Sequence, residues 1–577
     1  MVNTALTVGA LLAAAVATVA VGAYGLRRSR TTSDFLVASR TVTPHLNAAA
    51  ISGEYLSAAS FLGVAALIAK YGADALWYSV GFTAGYLGLL LFVAAPLRRS
   101  GAYTVPDFAE FRLNSALVRR AAMVVVVTIC LLYLVPQYQG AGLALKTPLG
   151  LPIWVGPLAV AAIVIVNVVG GGMRSITFVQ AFQYWLKLTA IAVPTLMLLI
   201  TAGPDPANLT GPLPPVVTEQ VTVSVDTDVI VDITDPTGIS VSGTVDGVAV
   251  RNGSLSGPGR YALAAGTRVV LAPGAHPPVV EGTPSSGTDW LRSGGGLGGT
   301  HPLYQVLSII VATFLGVMGL PHVLVRFYTN PDGRAARRTA LAVIALLSLF
   351  YLFPTLLGAL ARLYVPQLLM TGAADAAVLL LPTSIGGLAG QLIAALVAAG
   401  AFAAFLATSS GLLVTFAGAV STDLLRGRVR DFRMAALAGG VIPIPLALAA
   451  SSFELSRGVG LVFAVAASTL CPLLVLGIWW RGLTPAGAVT GLAVGAVSTG
   501  VATLLTITGG IDAQALGGWP AVIMGYPAAV TVPLAFATMA AVSRFTRASA
   551  PGNVSRTFAR MHLPERLGMG VERLPRG

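Results

Sequence analysis

Apolar residues run along this chain in blocks of about twenty, parted by short polar stretches, and that spacing predicts helices that cross a membrane. An α-helix rises ~1.5 Å per residue, so about 20 apolar residues match the ~30 Å hydrocarbon core of a bilayer. Thirteen windows meet this condition, near 3–26, 46–70, 74–97, 120–144, 151–170, 178–201, 303–327, 339–364, 386–420, 434–452, 458–480, 484–508 and 521–543. The expected fold is therefore an all-α polytopic membrane protein with about thirteen transmembrane helices. Residues 1–30 form its first helix rather than a signal peptide, because no basic residue precedes the apolar run and Arg27, Arg28 and Arg30 follow it.

One stretch breaks the pattern. Residues 202–301 alternate with a period of two, as in Val221-Thr222-Val223-Ser224-Val225-Asp226 and Val229-Ile230-Val231-Asp232-Ile233. That periodicity, punctuated by Pro and Gly, predicts short β-strands, and Val245-Asp246-Gly247-Val248 predicts a hairpin turn. Asp226, Asp228 and Asp232 lack EF-hand spacing and read as solvated strand edges. The Gly/Ser-rich stretch from Thr283 to Thr300 is expected to be a flexible return to the membrane. A small extracellular β-rich insert thus divides two helical sets, 44–201 and 302–481. Two more helices follow over 482–543, and a basic tail over 544–577.

Polar residues inside two spans carry the chemistry. The second reads Ile51-Ser52-Gly53-Glu54-Tyr55-Leu56-Ser57, which puts a carboxylate near mid-membrane depth. A charge there costs at least ~2.5–3.5 kcal/mol, so it needs a partner, a proton or a function. Gly53 and the flanking serines predict a broken helix, and freed carbonyls at that depth are tolerated where they line a cavity or bind an ion. The seventh span carries Gly316, Gly319 and Pro321 at similar depth. Five spans per set force the two sets into opposite orientations, and inverted repeats with a broken first helix are a recurrent transporter plan.

Composition narrows the class. Charged residues make up 10% of the 577, against roughly 25% in soluble proteins. The net charge of +13 comes from arginines in short loops, such as Arg98, Arg99, Arg119, Arg337 and Arg338, and in the tail. This is the positive-inside pattern of a cell-membrane protein with its N-terminus outside and its C-terminus in the cytoplasm, not a nucleic-acid surface. Cys130 and Cys471 lie inside apolar spans and imply no disulfide. No HExxH, GxSxG or Walker motif points to an enzyme.

Several separated segments resemble the sodium:solute symporter family. They are Ser33–Arg40, Ser57-Ala58-Ala59-Ser60-Phe61-Leu62-Gly63, Gly170-Gly171-Gly172-Met173-Arg174, Gly319–Phe327 and Ala419–Leu424. The run Gly53–Gly63 is most similar to the acetate and monocarboxylate branch. The resemblance implies a LeuT-like core of five plus five helices. It also implies a cation site built from carbonyls of Gly53, Leu56 and Ala404 with side chains at Ala407 and Thr408. Ala407 departs from the usual hydroxyl residue, and Gln180 replaces an Asp of sodium-driven proline and sugar members. Na⁺ is thus the first expectation for the coupling ion and H⁺ the alternative, with no other cofactor. Ser409 and Ser410 are nearby substitutes.

The carboxylate substrate is expected near Tyr55, Ser57, Ser60, Tyr133 and Pro321. Glu54, His322 and Gln180 are candidates for coupling or protonation. Glu54 has two further readings, a cation ligand or a cap on free amides. Arg326 is expected to snorkel to an interface, Lys187 to lie toward the inner boundary, and Trp185, Trp479 and Trp480 to join an aromatic belt. The expected function is symport of a small monocarboxylate such as acetate, propionate or pyruvate into the cell. Transport of proline or sugar, or a sensor on a transporter scaffold, is the alternative.

Overall fold

A computed structural model describes the chain except residues 1–2, 27–41, 202, 204–206, 226, 256, 298–300, 372–373, 426, 451–453, 508–517 and 564–577. Expectations on Arg27, Arg28, Arg30, the Ser33–Arg40 segment and Asp226 lie outside the described residues. Among those described, eleven helices are long and apolar enough to cross a membrane, where thirteen windows were expected. Two features account for the difference. Ala59–Ser100 is one helical series that turns at Gly72, so two expected spans run together there. Val155–Gly171 runs on into Met173–Thr201 as parts of one 47-residue helix, which takes in two further expected spans. At Gly72 the φ of 63° suits glycine, and a Cβ would come 1.8 Å from the Trp290 carbonyl oxygen.

The elements that build the site are α1 (Thr4–Leu26), α2 (Pro44–Tyr55), α3 (Val64–Tyr71), α4 (Leu76–Gly88), α5 (Ala94–Ser100), α6 (Val105–Leu113), α7 (Ala116–Leu149) and α8 (Val155–Thr201). After the insert come α9 (Pro302–Gly319), α10 (Pro321–Phe327), α11 (Gly333–Tyr364), α12 (Gly387–Asp423), α13 (Val429–Val441), α14 (Leu455–Ser468) and α15 (Leu470–Trp479). Helix α12 lies at the centre, buried along most of its length against α7 and α8. Its small residues permit this: Gly400 approaches Ala190, and Gly411 leaves room for the Glu54 carboxylate.

The insert forms a seven-stranded sheet in the order β1-β6-β3-β5-β2-β7, with β4 paired to β3. Its strands are β1 (Val221–Ser224), β2 (Val229–Ile233), β3 (Ile239–Val245), β4 (Val248–Ser254), β5 (Gly259–Leu263), β6 (Arg268–Leu271) and β7 (Val279–Val280). The expected hairpin is present: Val245 pairs Val248 across Asp246 and Gly247, with φ of 50° and 79°. Two successive positive φ values define the tight turn that Asp-Gly favours. Val231, Val241, Val269 and Leu271 close a small core that also takes in Met370 from the helical part.

The return from the insert is not the free linker expected from its Gly/Ser content. Asp74 accepts hydrogen bonds from the amides of Gly294 (2.9 Å) and Gly296 (2.6 Å), and Trp290 Nε1 donates to the Ile68 carbonyl at 2.7 Å. Arg362 donates to the carbonyls of Ala69, Pro284 and Ser285 at 3.0–3.2 Å. Glycine backbone amides are free to reach a carboxylate, which is why a flexible composition here yields a fixed strap.

Beside this strap, in the connection between α11 and α12, Asp375 is buried and accepts from the Leu455 amide at 3.1 Å. Burial pushes its carboxyl up to about 7, Glu454 adds to the rise, and the Leu455 amide and Lys70 oppose it. A raised folded-state value means the folded protein holds this proton more tightly than the unfolded chain. Stability is therefore fullest below 3.8 and falls as pH rises through about 7. Asp375→Asn is expected to remove that fall, seen as a melting temperature that no longer declines across this window.

Candidate functional site

Helix α2 ends earlier than its terminal carbonyls can be paired. Leu56 leaves helical geometry (φ −71°, ψ 88°), and a helix resumes only with the π-turn Ala59–Gly63 ahead of α3. The expected break is present, but it falls at Leu56–Ser57 rather than at Gly53. Gly53 stays within α2 for a steric reason: a Cβ there would stand 2.1 Å from the Gln180 carbonyl oxygen of α8. The Gln137 side chain accepts from the Ala58 amide at 3.0 Å and holds the restart. The seventh span also breaks as expected, at Leu320 between α9 and α10, with Pro321 opening the second half.

The Glu54 carboxylate does not stand alone or cap a helix. Arg326 Nε donates to its Oε2 at 2.6 Å, and both side chains are at most 2% exposed. Arg326 thus departs from the snorkelling expectation. Its remaining donors reach Thr177 Oγ1 at 2.8 Å and, closer still, Gln180 Oε1. The Asn47 side chain donates to the Arg326 carbonyl at 3.1 Å. α2, α8 and α10 are therefore joined at one buried ion pair.

Lys187 also departs from expectation. Its ammonium donates to the carbonyl of Leu56 at 2.8 Å and, at closer range, to that of Gly53. These two carbonyls are part of the cation set implied by the resemblance. Of the rest of that set, Thr408 Oγ1 donates to the Glu54 carbonyl at 2.6 Å, and the Ala407 carbonyl accepts from Gln180 Nε2 at 2.9 Å. Ala404 is buried on α12 one turn before Thr408, and Ser409 Oγ is buried with no partner. Gly53 and Leu56 thus meet at the Lys187 ammonium, while Thr408 is tied to α2 and Ala407 to α8 by other hydrogen bonds.

The residues expected near substrate gather beside the break. Tyr55 donates to the Phe82 carbonyl at 3.0 Å and meets the edge of Tyr86, with ring centroids 4.9 Å apart. The Tyr133 hydroxyl is bonded to Ser57, and its ring lies 5.3 Å from His322. Ser60 Oγ and Tyr351 Oη are 2.8 Å apart. Phe463 touches Tyr55, Phe82 and Tyr133. Tyr351 and Phe463 were not anticipated, because aromatic residues in apolar spans carry no local mark of facing a site. Neither ring nitrogen of His322 has a hydrogen-bond partner, nor does the Tyr86 hydroxyl.

All these side chains are buried, so the centre is closed. A narrow cavity of about 20 Å³ begins at Pro321 and Val325 and extends past Thr104, Met173 and Thr415, toward the end of the bundle that carries Arg98 and Arg99. Trp185 and Trp479 are exposed, whereas Trp480 is partly buried against the core.

Comparison with known proteins places this arrangement. The sequence profile of the sodium:solute symporter family matches residues 35–241 and 283–495, leaving out part of the sheet. A protein of Corynebacterium glutamicum named a monocarboxylic acid transporter is 30% identical over 574 residues, covering 95% of this chain and 93% of its own length. An uncharacterised symporter of Bacillus subtilis, YwcA, is 29% identical over 528 residues, covering 89% of each. Among solved structures, a Na⁺-coupled sialic acid symporter in a substrate-bound outward-open state superposes with a TM-score of 0.60 over 93% of this chain and 98% of that one, at 15% identity. The fold is therefore the LeuT-like transporter fold that the family resemblance implied.

Proposed function

The chain belongs to the sodium:solute symporter family, and from that premise we propose that it carries a small monocarboxylate, such as acetate, propionate or pyruvate, into the cell by cation-coupled symport. The observation that supports the cargo is a charge imbalance at the breaks. Among the described residues there, Lys187 and Arg326 are two buried basic groups, and Glu54 is the one carboxylate, paired with Arg326. Burying an uncompensated charge is expensive, so an anion entering beside the break is favoured over a neutral solute. The unpartnered ring nitrogens of His322 and the hydroxyls of Tyr133 and Ser57 are polar groups that can orient it. The name of the Corynebacterium relative agrees with this cargo.

The expected cycle is alternating access. The closed centre opens toward one side to admit the carboxylate, then toward the cavity at Pro321 to release it, as one repeat rocks against the other. The coupling ion, Na⁺ or H⁺, drives this by binding one state more tightly than the other. Uptake of labelled acetate and pyruvate into proteoliposomes, with Na⁺ and pH gradients imposed separately, tests cargo and coupling together. Accumulation that ignores both gradients would exclude symport.

A further inference from the structure

The residues around the break do not fit a sodium ion. A bare Na⁺ is a hard cation that needs several oxygens turned toward it. Here the Gly53 and Leu56 carbonyls accept from the Lys187 ammonium, the closer contact being to Gly53. The side chain at Ala407 has no oxygen, and its carbonyl is engaged by Gln180 Nε2 at 2.9 Å. The Thr408 hydroxyl donates its proton to the Glu54 carbonyl at 2.6 Å, so its oxygen is the single side-chain ligand left in the implied set. A Na⁺ and an ammonium sharing the same two carbonyls would repel each other at close range, with little water between them to screen the charge.

The ammonium, in contrast, fits. It brings one positive charge and up to three N–H donors to carbonyls that a broken helix leaves without partners. It is tethered to α8, which packs so closely on α2 that position 53 admits no side chain beyond hydrogen. The packing that excludes a Cβ at Gly53 also brings Lys187 within reach of both carbonyls.

We infer that Lys187 is the resident cation of this site, so that the helix break is held by a side chain and uptake does not require Na⁺ there. The inference rests on the symport reading above and decides its coupling ion: Na⁺ does not drive transport through the Gly53 and Leu56 carbonyls. Lys187 is a specificity-determining residue, because whether Na⁺ can enter depends on its presence.

The experiment has two arms on the full-length purified protein. In proteoliposomes, acetate and pyruvate uptake is measured under a fixed pH gradient with NaCl or with choline chloride, which keeps ionic strength constant. In detergent, the melting temperature is measured in the same two salts, for the wild type and for Lys187→Ala. Wild-type uptake is expected to be equal in the two salts, with no Na⁺-specific rise in melting temperature. Lys187→Ala is expected to lose about tenfold or more of its uptake and to gain a melting temperature that rises with Na⁺ and not with choline.

A wild type that Na⁺ stabilises, or whose uptake Na⁺ raises about tenfold, overturns the inference. So does a folded Lys187→Ala that transports as the wild type does in choline. If Lys187→Ala does not fold, the wild-type Na⁺ comparison decides alone. Failure to take up either carboxylate under any gradient would refute the cargo instead, while the wild-type melting comparison still judges Lys187.

Discussion

Arg326→Ala is expected to abolish uptake and to cost roughly 3–5 kcal/mol of stability. Arg326 is the ion-pair partner of Glu54, and removing it leaves a carboxylate that is 2% exposed with its charge uncompensated. It also frees Thr177 Oγ1 and Gln180 Oε1, which now accept from the same guanidinium. The loss is therefore greater than that of one contact, because three buried acceptors become orphans together. The double variant Glu54→Gln/Arg326→Gln separates the two effects. With both charges gone, much of the stability should return, since two neutral amides can bond where an ion pair stood. Uptake should stay low if the positive charge of Arg326 attracts the carboxylate. Melting temperature and uptake of both variants check this, and a stable, active Arg326→Ala would show that the pair is dispensable.

Much of the fold was legible because it depends on local chemistry. Apolar runs marked the spans, Asp246-Gly247 marked the hairpin, and the Leu320–Pro321 break followed from a residue that cannot continue a helix. The break in the second span was legible as well, but its position was misjudged. Glycine in a span can mark a weak point or a close approach, and only the three-dimensional contact with the Gln180 carbonyl shows that Gly53 lets α2 approach α8.

The site was harder to read for the same reason. Glu54 and Arg326 are 272 residues apart, and Lys187 lies more than 130 residues from the carbonyls it holds. Hydropathy shows that a charged residue interrupts a span; it does not show whether that residue faces lipid, water or a broken helix. The signal that could have found Lys187 was its cost. A lysine within a span whose termini are far off calls for a buried acceptor just as Glu54 calls for a donor. The tethering of the insert was hidden likewise, since Asp74 meets Gly294 and Gly296 across separations of 220 and 222 residues.

Arg119→Ala carries the second large effect, at the end of the bundle away from the insert. Its guanidinium meets Asp423 Oδ1 at 2.6 Å, Glu110 Oε2 at 2.6 Å and Asp107 Oδ1 at 2.8 Å, tying α6 and α7 to the C-terminal end of α12. The Asp423 side chain is fully buried, and its second oxygen has no other partner. Without the guanidinium, Asp423 becomes a lone buried charge, which typically costs about 3–5 kcal/mol, whereas exposed Glu110 would lose little. The effect should depend on pH in a definite direction. Burial already raises the Asp107 carboxyl above its ordinary range, and Arg119 is what chiefly opposes the rise. Removing Arg119 lifts it further, so the variant's deficit should be greatest near neutral pH and shrink as the solution is acidified. Asp423→Asn in the Arg119→Ala background is expected to restore most of the melting temperature at neutral pH. Because α12 also carries Thr408, which holds the Glu54 carbonyl, loosening its far end is expected to lower uptake even where the protein remains folded. A variant that melts and transports as the wild type does at neutral pH would mean that this network does not brace α12.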